Sequence, residues 1–117
     1  MTEKPIAATW SALQLPAMPT FLCLMLNKAQ LELDVHKVIL FGSRARGDNT
    51  PTSDYDLCFV LRSNGGWPEF VVDVKETAAT LCALDLVNYN EINAKLRQEI
   101  DQIGVVLHVN NKNQNCL

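Results

Sequence analysis

The sequence predicts an α/β (α+β) fold in which a small mixed β-sheet of about four strands is flanked by helices. Three observations lead there. Apolar runs of strand length, such as Val38-Ile39-Leu40-Phe41 and Leu57-Cys58-Phe59-Val60-Leu61, alternate with stretches whose apolar residues recur at helical spacing. Breakers separate them, notably Gly42, Asn64-Gly65-Gly66 and Gly104. The 117 residues suffice for one hydrophobic core and leave no room for a second, so a single domain is expected.

Residues 1 to about 17 lack periodicity and carry Pro5 and Pro16, which reads as an irregular lead-in. Thr20 is the candidate cap of a first helix running to about Leu33, with Leu22, Met25, Leu26, Ala29 and Leu33 on one stripe. Phe21, Leu24 and Leu31 fall off that stripe. A helix apolar over more than one face is either deeply buried or covered by a partner, and both readings stay open. The first strand follows at about His36 to Phe41. The turn at Gly42 leads into a short helical segment around Ser43 to Gly47, then a polar loop from Asp48 to Ser53. The second strand is Asp54 to Leu61. Pro68 suits the first turn of the next helix, in which Phe70, Val71, Val74, Ala78, Leu81 and Cys82 recur with helical period. The third strand is Leu84 to Val87. Asn90 is the expected cap of a helix with the stripe Ile92, Leu96, Ile100 and Ile103, ended by Gly104. Val105 to Val109 completes the sheet as an edge strand, and the tail 110–117 is too polar to fold.

A net charge of −3 argues against direct binding of nucleic acid, which depends on Lys and Arg neutralising phosphates. Cys23, Cys58, Cys82 and Cys116 show no Cys-x-x-Cys pair and no zinc-type spacing. Three of them lie in apolar runs, as small core residues in a reducing compartment do. The run from Phe21 to Leu26 is too short to span a bilayer and has no basic leader or small-residue cleavage site. No membrane association is expected, and the expected location is cytoplasmic.

Chemistry concentrates between Gly42 and Leu57. Gly42-Ser43 sits at a strand-to-helix turn, where backbone N–H groups and a hydroxyl can hold a phosphate. Ten residues later come Asp54 and Asp56, which a strand points to the same face. Hard oxygen ligands so placed suit Mg²⁺. Asp56 and a third acidic residue, Asp85 in Leu84-Asp85-Leu86-Val87, lie between apolar neighbours, where an unpaired carboxylate is expensive and a functional reading is favoured. Arg44 and Arg46 either clamp phosphates or sit solvated. Tyr55 points away from the metal face, and His36 and His108 have no assigned role. Gly42-x-x-x-x-Gly47 has the glycine spacing of a P-loop, but Asp48 stands where the lysine must be.

At these residues the chain resembles the DNA polymerase beta-like nucleotidyltransferase superfamily and, within it, the minimal nucleotidyltransferase (MNT) family. The match is close from Gly42 to Leu57 and extends more loosely to Asp85. The resemblance implies Asp54, Asp56 and Asp85 as catalytic metal ligands for two Mg²⁺ ions, with Gly42, Ser43, Arg44 and Arg46 around the phosphates of ATP. It further implies an antitoxin paired with a small helical HEPN toxin, with AMP passing from ATP to a tyrosine of that partner in a hetero-oligomer. The chain ends soon after its fourth strand, so the acceptor side of the site is expected to be completed by another protein. Two alternatives stay open: a small-molecule transferase of the antibiotic-modifying kind with a second subunit, and a non-catalytic antitoxin that neutralises by binding.

Overall fold

Four strands make one sheet: β1 (Val35–Phe41), β2 (Tyr55–Leu61), β3 (Leu84–Asn88) and β4 (Val105–Val109), ordered β3-β2-β1-β4. The computed structural model describes residues 19–78, 80 and 82–109. β1 runs antiparallel to β2 and β4, while β2 and β3 are parallel, so the sheet is mixed as the sequence predicts. Among the described residues four α-helices accompany it: α1 (Thr20–Glu32), α2 (Ser43–Arg46), α3 (Trp67–Thr77) and α4 (Ala94–Ile103). A parallel pair cannot be joined by a tight turn, and α3 lies in the crossover from β2 to β3.

The period-two alternation of β2 divides the molecule into layers. Leu57, Phe59 and Leu61 face a core built with α1 and α3, whereas Cys58 faces a second cluster with Ile39, Phe41 and Ile100 of α4. Phe59 anchors the larger core, with its ring 5.2 Å from Trp67 and 5.4 Å from Phe70. Removing such a fully buried ring costs about 3–5 kcal/mol. On α1 the predicted stripe is the buried one, with Leu22, Met25, Leu26, Ala29 and the following Leu33 all buried. Of the residues off the stripe, Phe21 packs edge-on against Tyr55, while Leu24 and Leu31 are 62% and 87% exposed.

Several boundaries differ from the expected ones. The residue flanking α1 is Pro19, whose carbonyl accepts from the Leu22 and Cys23 amides, and Thr20 is already helical. α3 stops at Thr77, not near Cys82. Further on, the Tyr55 amide donates to the Ala83 carbonyl at 2.9 Å, next to the start of β3, while Leu81 of the expected stripe lies outside the described residues. α4 is capped by Asn93, whose side chain accepts from the Leu96 amide at 2.8 Å. Asn90 lies in a 3₁₀ turn (Tyr89–Glu91) and donates to the Leu61 carbonyl and to Asn64 Oδ1. Gly104 does follow α4, with extended backbone; a Cβ there would strike Ile39 Cγ2 and the Ile100 carbonyl. β2 begins at Tyr55, one residue after the expected Asp54. β4 is an edge strand as predicted, but His108 within it is buried. Of the cysteines, Cys58 is buried while Cys23 and Cys82 are half-buried, and none of the three is in a disulfide. The lead-in 1–17 and the tail 110–117, with Cys116, lie outside the described residues. Among the described residues no helix is long and apolar enough to cross a membrane.

Candidate active site

The candidate site forms at the edge of the sheet where β1 ends and β2 and β3 begin. Phe41 pairs with Asp56 across the antiparallel β1–β2 ladder, and Asp56 lies opposite Asp85 in the parallel β2–β3 ladder. Both aspartates alternate with residues of the α1/α3 core, so they lie on the α4 face. Ile100 of α4 covers that face at Cys58, whose thiol burial pushes up to about 12. Beyond that cover the carboxylates emerge, with Asp54 and Asp85 exposed and Asp56 half-buried.

Asp56 carries the electrostatic signature of the site. Its carboxyl is held above its ordinary value, first by burial and then by the charges of Asp85 and Asp54, with Arg46 partly opposing. The Asp85 side chain, opposite Asp56 in register, is thus the neighbour that acts on it most strongly. Asp54 sits in the segment entering β2, near enough for its charge to act on Asp56. The three predicted ligands thus share one end of one face, with Asp56 at the centre. Among the described residues, no three His, Cys, Asp or Glu side chains draw together into a ready metal cage.

Gly42 makes room for Asp56. It is buried, has φ +74°, and a Cβ there would collide with Asp56 Oδ2. Any other residue would meet both the strain of positive φ and this collision. After the turn, the Ala45 and Arg46 amides donate back to the Gly42 carbonyl at 3.1 and 3.0 Å, and Gly47 closes α2 with φ +88°. The residue at the cap position is Gly42 itself, which brings no side chain to cap the turn. The first amides of a helix have no partner within it, and Gly42 brings this turn against Asp56. The donor set fits a divalent cation: hard oxygens, negative charge concentrated at Asp56, and a cradle kept open by a glycine.

The two arginines part company. Arg46 is exposed and its Nε lies 3.3 Å from Asp48 Oδ2, at the mouth of the site. Arg44 spends its donors on the loop leading to Asp54, reaching the Ser53 carbonyl from Nε at 3.2 Å and from one terminal nitrogen at 3.1 Å. That nitrogen also reaches the Pro51 carbonyl at 3.1 Å, and the guanidinium lies 4.0 Å from the centre of the Tyr55 ring. The sequence offers phosphate binding or solvation for this residue, and no spacing rule signals a bond to a carbonyl nine residues on. Tyr55 packs away from the carboxylates, as strand alternation predicts.

Comparison with known proteins gives the family and the fold. The family described as "Polymerase beta, Nucleotidyltransferase" matches residues 25–113, which include the whole site. The chain belongs to the polymerase beta nucleotidyltransferase family. Solved structures share the fold. A crystal structure of a toxin–antitoxin with AMP-PNP superposes with a TM-score of 0.60 at 19% identity, over 79% of this chain and 76% of that one. The toxin–antitoxin MntA-HepT gives 0.51 at 18% identity, over 81% and 73%. A nucleotidyltransferase from Sulfolobus solfataricus gives 0.51 at 18% identity, over 91% and 89%. Among curated proteins, none matches the chain in sequence.

Proposed function

We propose that this chain is a minimal nucleotidyltransferase that moves AMP from ATP to a tyrosine hydroxyl of a helical HEPN-type toxin, and so acts as the antitoxin of that pair. The observation that carries the reading is the meeting of Asp56 and Asp85 beside the Gly42-Ser43 turn, with Asp54 at the same end of the sheet. The family supplies the reaction class. Toxin–antitoxin complexes among the structural neighbours, one of them with AMP-PNP, support the partner and the nucleotide.

In this reading the Gly42-Ser43 amides and the Ser43 hydroxyl hold the distal phosphates of ATP, and Arg46 adds positive charge at the rim. Asp54, Asp56 and Asp85 would hold Mg²⁺, two ions in the full site, which supplies charge neutralisation and lowers the acceptor hydroxyl's pKa. The acceptor oxygen bonds to the α-phosphorus, the bond to the bridging oxygen of pyrophosphate breaks, and the hydroxyl proton leaves to the neighbouring carboxylates or water. Asp54 and Asp85 are exposed, so an acceptor carried by another protein can reach them. Incubation with labelled ATP, Mg²⁺ and the helical protein encoded beside this chain tests the reading, with the label located by mass spectrometry. Label on a partner tyrosine is the expected result. Neutralisation of the partner with no added mass would make this chain an antitoxin that works by binding.

A further inference from the structure

We infer that Arg44 is a positioning residue that fixes Asp54 through the backbone, and not a ligand of the nucleotide; the inference rests on Asp54 belonging to the active site as proposed above. Two guanidinium nitrogens converge on one oxygen, the Ser53 carbonyl, at 3.2 and 3.1 Å. That carbonyl belongs to the peptide joining Ser53 to Asp54. Because a peptide is planar, holding its oxygen also restrains the nitrogen and Cα from which the Asp54 side chain starts.

The clamp is itself held. The Tyr55 ring lies under the guanidinium at 4.0 Å and is braced edge-on by Phe21 of α1, 5.0 Å away. The loop is tied internally as well, since the Thr50 amide donates to Ser53 Oγ at 2.9 Å. Cys82, three residues before Asp85, extends the same unit: its thiol donates to the Pro51 carbonyl at 3.5 Å and lies 3.8 Å from an Arg44 terminal nitrogen. One side chain thereby couples the approach to Asp54 with the approach to Asp85. A planar fork can reach Ser53 and Pro51 together while stacking on a ring, and a lysine ammonium cannot. Nε and one terminal nitrogen are thereby engaged by the loop and by Cys82.

The test compares wild type with Arg44→Lys, which keeps the charge and loses the fork. Hydrogen–deuterium exchange at the Asp54 and Tyr55 amides should quicken by about tenfold, while core amides such as Phe59 keep their protection and show the fold intact. Mn²⁺ binding, followed by electron paramagnetic resonance, should weaken by about tenfold as Asp54 loses its fixed start. In the transfer reaction kcat should fall by about tenfold with KM for ATP held within about twofold. Unchanged exchange at Asp54 would overturn the clamp, and a raised KM with normal kcat would make Arg44 a nucleotide ligand. Exchange and Mn²⁺ binding need no turnover. A wild type that binds Mn²⁺ but transfers nothing therefore refutes the proposed function without touching this inference.

Discussion

At the scale of single residues, Asp56 holds the competition that defines the site. Burial and two neighbouring carboxylates raise its proton affinity in the folded state above the ordinary 3.8. The sign follows: its contribution to stability is present below the unfolded value and lost as pH rises through the higher folded value. Without metal, Asp56→Asn should therefore melt at an unchanged or higher temperature at neutral pH, with the difference shrinking on acidification. Mg²⁺ at ten times its Kd should stabilise wild type by about 1.4 kcal/mol and the variant by much less. Calorimetric melts at several pH values, with and without Mg²⁺, check both statements. In the proposed function Ser43 serves the nucleotide instead. Ser43→Ala should weaken a non-hydrolysable ATP analogue by about 1–2 kcal/mol, the worth of one charge-assisted hydrogen bond. Titration calorimetry reads it directly, and an unchanged affinity would leave Ser43 as part of the turn alone. Asp56 and Asp85 are legible in the sequence because a carboxylate inside an apolar strand demands an explanation. Arg44 is not, because its partners are backbone carbonyls and no residue type marks a carbonyl.

At the scale of elements, the strands are the legible part and the helix ends are not. Strand runs such as Val38 to Phe41 announce themselves by apolar content, and β2 differs from its expected start by one residue. α3 stops at Thr77 although helical spacing runs on in the sequence, and the bond between Tyr55 and Ala83 is a long-range one that local periodicity does not contain. The start of α4 has three candidate asparagines close together. Asn88 caps the 3₁₀ turn, Asn90 reaches the Leu61 carbonyl and Asn64, and only Asn93 is placed to cap the helix. Asn93→Ala should accordingly cost about 1 kcal/mol, measured by urea denaturation, whereas substitution of Asn90 should leave the start of α4 intact. The loss reaches toward the site because Ile100 of α4 covers Cys58, two residues from Asp56 on the same strand face.

At the scale of the whole molecule, the sheet brings to one end what the sequence keeps far apart. The metal-ligand candidates come from two strands separated by α3, and the phosphate turn from a third. Phe21 of α1 packs on Tyr55, the residue between Asp54 and Asp56, from the opposite face of the sheet. On α1, which the sequence leaves between core and partner surface, the structure shows one buried stripe. Leu24 and Leu31 stay exposed and offer apolar surface along the same helix. A helical partner that presents a hydroxyl to the carboxylates, as proposed, would meet the exposed end formed by Asp54 and Asp85. Co-expression with that partner should relieve its toxicity. The double variant Asp54→Ala, Asp56→Ala should fold, keep the α1 surface and yet fail to protect, because attachment of AMP adds the charge and bulk that block the partner. Protection by the double variant equal to wild type, with no mass gain on the partner, would show that burial of surface alone neutralises it. Loss of protection with the complex still recoverable by size-exclusion chromatography would place the effect in the chemistry, since binding would have outlived it.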